Sequence, residues 1–132
     1  MAKIDDPAVQ NLLTQPNHGI VSTFDDDGSI RSGVVWVDLV DGKLALNSAE
    51  GRTWPTNLQR DPRVTVLVYD QNNPYEYVEV RGTATSSTAD ADGHIDRLAK
   101  KYLGKDSYPF RQEGEQRVSF FVDPKTVKYQ KQ

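Results

Sequence analysis

The sequence predicts a mainly β domain of the α+β class, an antiparallel barrel or roll of about six strands with short flanking helices. Apolar and polar residues alternate along most extended segments, which is the two-residue period of a half-buried strand. Short turns rich in Asp and Gly join those segments, as at Asp25-Asp26-Asp27-Gly28-Ser29 and Asp41-Gly42, and such turns favour hairpins over crossovers. The 132 residues form one domain, 1–132, with no internal repeat, low-complexity tract or linker to divide it.

A short helix comes first. Asp6 suits an N-cap, Pro7 suits the first helical position, and Val9, Leu12 and Leu13 follow on one face until Pro16 ends the run. Gly19 to Phe24 reads as a strand, and Ile30 to Val40 as one long strand with Val35, Val37 and Leu39 on one face and Val34, Trp36 and Asp38 on the other. Asp41-Gly42 turns the chain into Lys43 to Asn47. A loop over Ala49-Glu50-Gly51-Arg52 leads to a short helical stretch near Pro55 to Arg60, closed by Pro62. Val64 to Tyr69 reads as a strand buried on both faces, and Tyr75 to Thr85 as a long alternating one. A helix over Ala91 to Leu103 carries Ile95, Leu98, Ala99, Tyr102 and Leu103 at helical spacing, and Gly104 stops it. Two further strands, Arg117 to Val122 and Thr126 to Tyr129, finish the chain around Asp123-Pro124.

Composition narrows the function classes. A net charge of -3 gives no general pull toward nucleic acid or anionic lipid, so neither is an expected partner, and a bound anion needs a local cluster of cations. With no cysteine and only two histidines, thiolate chemistry is excluded and no metal site is expected. The first ten residues include Asp5 and Asp6 and no apolar run, and no stretch approaches the ~20 apolar residues of a membrane span, so a cytoplasmic location is expected. There is no glycine-rich dinucleotide loop and no nucleophile elbow. His18 and His94 are expected to be exposed or capping.

The informative segment is Leu46 to Val68, LNSAEGRTWPTNLQRDPRVTVLV. A strand end delivers Asn47 and Ser48 to a glycine-containing turn, and Arg52 then precedes a short helix. Backbone N–H groups at such a turn can cradle an anion that a neighbouring arginine completes. The same residues equally suit a plain surface connection in which Arg52, Arg60 and Arg63 are solvated charges.

This segment resembles the signature of the flavin- and deazaflavin-dependent split β-barrel proteins related to pyridoxamine-phosphate oxidase, and within them the small single-domain branch that uses coenzyme F420, an 8-hydroxy-5-deazaflavin. GIVSTFDDDGSIRSGVVWVD, Glu50-Gly51-Arg52, Asn57-Leu58, Arg60-Asp61-Pro62-Arg63-Val64, Tyr77 to Gly82 and the helix ending Tyr102-Leu103-Gly104 all fall in family order. The resemblance implies a six-stranded antiparallel split β-barrel, a homodimer and a cofactor groove at the interface. Val34 and Trp36 would then meet the ring from one subunit, and Tyr75, Glu76 and Tyr77 would close the site from the other. Asn47, Ser48, Arg52, Trp54, Pro55 and Asn57 complete the implied cofactor contacts.

One departure stands out. Members of this branch usually carry Lys two residues after the arginine matched by Arg52, and often Arg two further on, where this chain has Trp54 and Thr56. An indole cannot replace an ammonium beside a phosphate, so a weaker anion grip is expected. The implied function is hydride transfer from reduced coenzyme F420 to an electron-poor organic substrate. The alternatives are an FMN-dependent oxidase or reductase of the same fold and a non-catalytic protein that carries a cofactor or planar ligand. No catalytic residue is assigned, because the cofactor carries such chemistry.

Overall fold

In the computed structural model, which describes residues 1–132, three helices and seven strands follow one another along the chain. They are α1 (Pro7–Thr14), β1 (Gly19–Phe24), β2 (Ile30–Val35), β3 (Asp38–Val40), β4 (Lys43–Ala49), α2 (Thr53–Arg60), β5 (Arg63–Tyr69), β6 (Tyr77–Ser87), α3 (Ala91–Leu103) and β7 (Arg117–Gln130). The strands make one sheet in the order β2-β1-β5-β6-β7-β4-β3, with every pairing antiparallel. Strands β2 and β3 thus lie at opposite edges of the sheet, yet only Trp36 and Val37 separate them in sequence. The sheet must therefore curl until its edges meet, which makes it a barrel split at that seam.

The inner faces and two helices fill the barrel. Val21, Val66, Val68, Leu44, Leu46, Val78, Val80, Phe120 and Val122 point inward with no more than 1% exposure, and Val9, Leu12 and Leu13 of α1 plug one end. Each such side chain stabilises the fold by about 1.5–3 kcal/mol. Gly82 sits at a bulge against the backbone of Asp123, where a Cβ would collide, so β6 and β7 can cross closely there.

The mainly β, antiparallel class agrees with the sequence reading, and the differences from it are local. The sheet has seven strands rather than six. The segment 30–40 is two strands, because the chain leaves one edge of the sheet and joins the other at Trp36–Val37. The two expected C-terminal strands are one, β7, which bends through Pro124 at the bulge instead of stopping. Strand β5 is buried on one face only, through Val64, Val66 and Val68, while Thr65, Leu67 and Tyr69 are half-buried on the outer face. Strand β6 begins at Tyr77, leaving Tyr75 in a turn. No helix is long and apolar enough to cross a membrane.

On the outer face the register lines up Val34, Ile20, Leu67, Glu79 and Lys128 across β2, β1, β5, β6 and β7. Ile30 and Val34 on edge strand β2 are 69% and 71% exposed, so an apolar stripe runs outward from the sheet edge.

Candidate functional site

Where β2 peels away at the seam, a cavity of about 290 Å³ opens between the ends of β2 and β4, the start of α2, α3 and the loop before β7. Its aromatic wall is built on α3. The Trp36 ring stacks on Tyr102 with centroids 5.3 Å apart and planes 7° apart, and the Tyr108 ring meets Trp36 edge-on at 6.1 Å. Phe110 follows Tyr108 in a T-shaped contact at 5.7 Å. The loop 104–116 that carries these rings is pinned to α3. Tyr108 N–H donates to Asp96 Oδ1 at 2.8 Å, and Arg111 reaches Asp92 at 2.6 Å and Asp96 at 3.0 Å.

The polar wall rests on Asn47. Strands β4 and β7 place Asn47 opposite Ser119. The Asn47 Nδ2 donates to the Ala91 carbonyl at 2.9 Å and to Ser119 Oγ at 3.3 Å, and the serine hydroxyl lies 2.7 Å from His94 Nδ1. A donating serine makes Nδ1 the acceptor and leaves the imidazole proton on Nε2, which is buried without a partner. Burial, opposed by the carboxylates of Asp38 and Asp90, pushes His94 below the usual histidine range and keeps it neutral at pH 7. The expectation that His94 is exposed or capping is therefore corrected: it is 3% exposed, because α3 packs on both β4 and β7 and buries a wide face.

Arg117 forms the floor, at 2% exposure. Its Nε donates to Asn47 Oδ1 at 3.0 Å, its Nη1 donates to Glu115 Oε1 at 2.8 Å, and its guanidinium lies 5.0 Å above the Tyr108 ring. The remaining nitrogen, Nη2, bonds nothing in the chain, and Arg117 lines the cavity. Arg52, at the N-cap of α2, stands at the mouth and reaches the other oxygen of Glu115 at 3.4 Å. Burial pushes the Glu115 carboxyl up, but the Arg117 hydrogen bond and the charges of Arg117 and Arg52 outweigh it and hold the group below its usual value.

Val34, Trp36, Asn47, Ser48, Arg52 and Trp54 all line this cavity. Trp54 is half-buried and packs on Phe120 with ring centroids 5.3 Å apart, so it is part of the core as well as of the cavity wall. The other sequence-derived candidates lie elsewhere. Pro55 is buried within α2. Asn57 is buried and ties α2 to the turn after β1, donating to Thr23 Oγ1 at 3.1 Å and Asp25 Oδ1 at 2.8 Å. Tyr75 and Glu76 sit in the turn before β6 and Tyr77 at its start, and Glu76 accepts from the Tyr129 hydroxyl at 2.6 Å. Within one chain these three do not reach the cavity.

The sequence reading missed His18, Ile95, Tyr108, Phe110 and Arg117 as cavity residues. Two aromatics around Pro109 in an otherwise polar loop were a usable signal for Tyr108 and Phe110. Arg117 had none, since it opens an apolar strand. A second hollow of about 290 Å³ lies on the outer sheet face beside Arg63, Arg81 and Lys125. Asp61 and Glu79 already pair with Arg63 and Arg81 there, and it lacks the aromatic walls of the seam cavity.

The family described as pyridoxamine 5′-phosphate oxidase matches residues 5–131. Among solved structures, one described as an F420 reductase superposes with a TM-score of 0.78 at 24% identity, over 90% of this chain and 94% of that one. A conserved hypothetical protein from Mycobacterium tuberculosis gives 0.75 at 20% identity, over 99% and 85%. General Stress Protein 26 from Bacillus anthracis gives 0.69 at 19%, over 93% and 91%. At these identities the likeness is one of fold. A search of the curated proteins finds no match.

Proposed function

Because the chain belongs to the pyridoxamine 5′-phosphate oxidase family, we propose that it works as a homodimeric oxidoreductase whose seam cavity holds the ring of reduced coenzyme F420 for hydride transfer to an electron-poor organic acceptor. The observation that carries this reading is the convergence of Val34, Trp36, Asn47, Ser48, Arg52 and Trp54 on one aromatic-walled cavity. The residues suit a planar, partly anionic group. Trp36 and Tyr108 supply flat apolar surface, Ser48 supplies a hydroxyl and Arg52 a cation.

When bound, a reduced deazaflavin supplies the hydride. The chain's own part is to orient and to dry the site. The Trp36–Tyr102 stack fixes one wall, the Asn47–Ser119–His94 network fixes the other, and the loop bearing Tyr108 and Phe110 borders the cavity. The apolar stripe of Ile30, Val34, Ile20 and Leu67 suits a two-fold contact with a second copy, in which Tyr75, Glu76 and Tyr77 of the partner subunit close the groove. A single-chain cavity near the lower end of ligand-site sizes supports a shared site.

An FMN-dependent enzyme would use the same cavity, but the dianionic FMN phosphate is less well served by Arg52, already paired to Glu115, with Trp54 where a lysine would help. The same two features favour, as a second reading, a carrier that binds a planar ligand without turnover. Mixing the protein with reduced coenzyme F420 and a panel of quinones, unsaturated ketones and tetrapyrrole-like acceptors separates these readings. Protein-dependent return of the oxidised-cofactor spectrum is expected. Saturable binding with no acceptor-dependent oxidation would assign the carrier role instead.

A further inference from the structure

We propose that Arg52, Glu115 and Arg117 act together as a reader of a single negative charge, so that the cavity accepts a carboxylate or a phosphodiester and disfavours a phosphomonoester dianion. The proposal rests on the preceding reading only in taking the seam cavity to be a ligand site, whichever ring it holds.

Charge and geometry carry the inference. Glu115 gives one carboxylate oxygen to Arg117 Nη1 at 2.8 Å and the other to Arg52 Nη2 at 3.4 Å. Two guanidiniums thus share one carboxylate, leaving one positive charge uncompensated. Arg117 and Glu115 are sealed in at 2% and 5% side-chain exposure, while Arg52 is 49% exposed, so the uncompensated charge stands at the mouth of the cavity. Arg117 lines this cavity, and its Nη2 makes no hydrogen bond within the chain, so a donor is left for a ligand there. One ligand anion both completes the arginine and brings the group to neutrality.

A second ligand charge would leave the site net negative, beside the buried carboxylate of Glu115. Two further carboxylates, Glu50 and Glu113, line a groove that Arg52 also lines. The next cavity residue along α2 is Trp54, which has no charge to add.

Isothermal titration calorimetry of the wild-type protein with four naphthalene probes tests this. They are 2-naphthoate and methyl 2-naphthyl phosphate (both monoanions), 2-naphthyl phosphate and neutral 2-naphthamide, used at about pH 8, above the second phosphomonoester pKa of ~6. Each monoanion is expected to bind about tenfold tighter than the amide and than the dianion, as befits one charge-assisted bond. Comparing the two monoanions tells carboxylate from phosphodiester. Glu115→Gln is expected to shift the preference toward the dianion. If that variant fails to fold, Arg52→Gln is the substitute, and the advantage of the monoanions over the amide should vanish. A dianion that binds as tightly as the monoanions, an amide that equals them, or no binding by any probe would overturn the proposal. Monoanion selectivity without any F420 binding would sink the deazaflavin reading and spare this one, and F420 binding with dianion preference would do the reverse.

Discussion

Trp54 shows what one side chain does at two scales of distance. Its ring packs on Phe120 in the core, and the same residue lines the seam cavity. Trp54→Lys should therefore act in two opposite directions. Loss of the indole packing should lower stability by roughly 1–3 kcal/mol, below the cost of a fully buried aromatic, while the added ammonium should strengthen anion binding at low salt. Urea denaturation beside a 2-naphthoate titration checks both arms, and unchanged stability would mean that the Phe120 contact contributes little. Arg52 and Trp54 were legible in the sequence because a glycine turn and a helix start lie together there. Arg117 and His94 were not. Arg117 reaches Asn47 from 70 positions away, and no local pattern marks that pairing. His94 sits among polar neighbours in α3, and only the packing of that helix on two strands buries it.

At the scale of elements, the C-terminal turn of α3 holds the barrel seam. Val37 lies between β2 and β3. Its N–H donates to the Tyr102 hydroxyl at 3.0 Å, and its carbonyl accepts from Lys101 Nζ at 2.7 Å. Tyr102 in turn donates to the Asn17 carbonyl at 2.7 Å. Burial pushes the Tyr102 phenol up to about 12 and the Lys101 ammonium down to about 8. The two act with opposite sign. Lys101 binds its proton less tightly when folded than its ordinary 10.5, so its contribution rises as pH climbs from 8 toward 10.5. Tyr102 binds its proton more tightly than its ordinary 10.0, so its contribution is whole below pH 10 and is lost as pH rises through 12. In a phenolate absorbance titration a Tyr102 step should appear near 12, apart from Tyr129, which its hydrogen bond to Glu76 also raises, and Tyr102→Phe should remove the step near 12. The variant should also lose about 1–3 kcal/mol, because it strips a partner from two backbone groups. Six tyrosines ionising together in the wild type would contradict the arrangement.

The elements themselves were largely readable. The α3 bounds match the helical spacing, and Asp41 and Gly42 both take the positive φ that their hairpin requires. The seam was hidden because apolar alternation runs through Trp36–Val37 without a break, and barrel closure belongs to the whole sheet. At the scale of the whole molecule, that closure puts the cavity at the split and leaves the stripe of Ile30, Val34, Ile20 and Leu67 outside. A single-chain cavity of about 290 Å³ beside an apolar face is what the proposed dimer with a shared site requires. The proposed function requires that cavity to be a deazaflavin site. Titrating the wild-type protein with oxidised coenzyme F420, followed by the cofactor's own fluorescence, tests it most directly. Saturation at one cofactor per chain is the predicted result, and a signal that never saturates over the range in which the protein stays folded would contradict it.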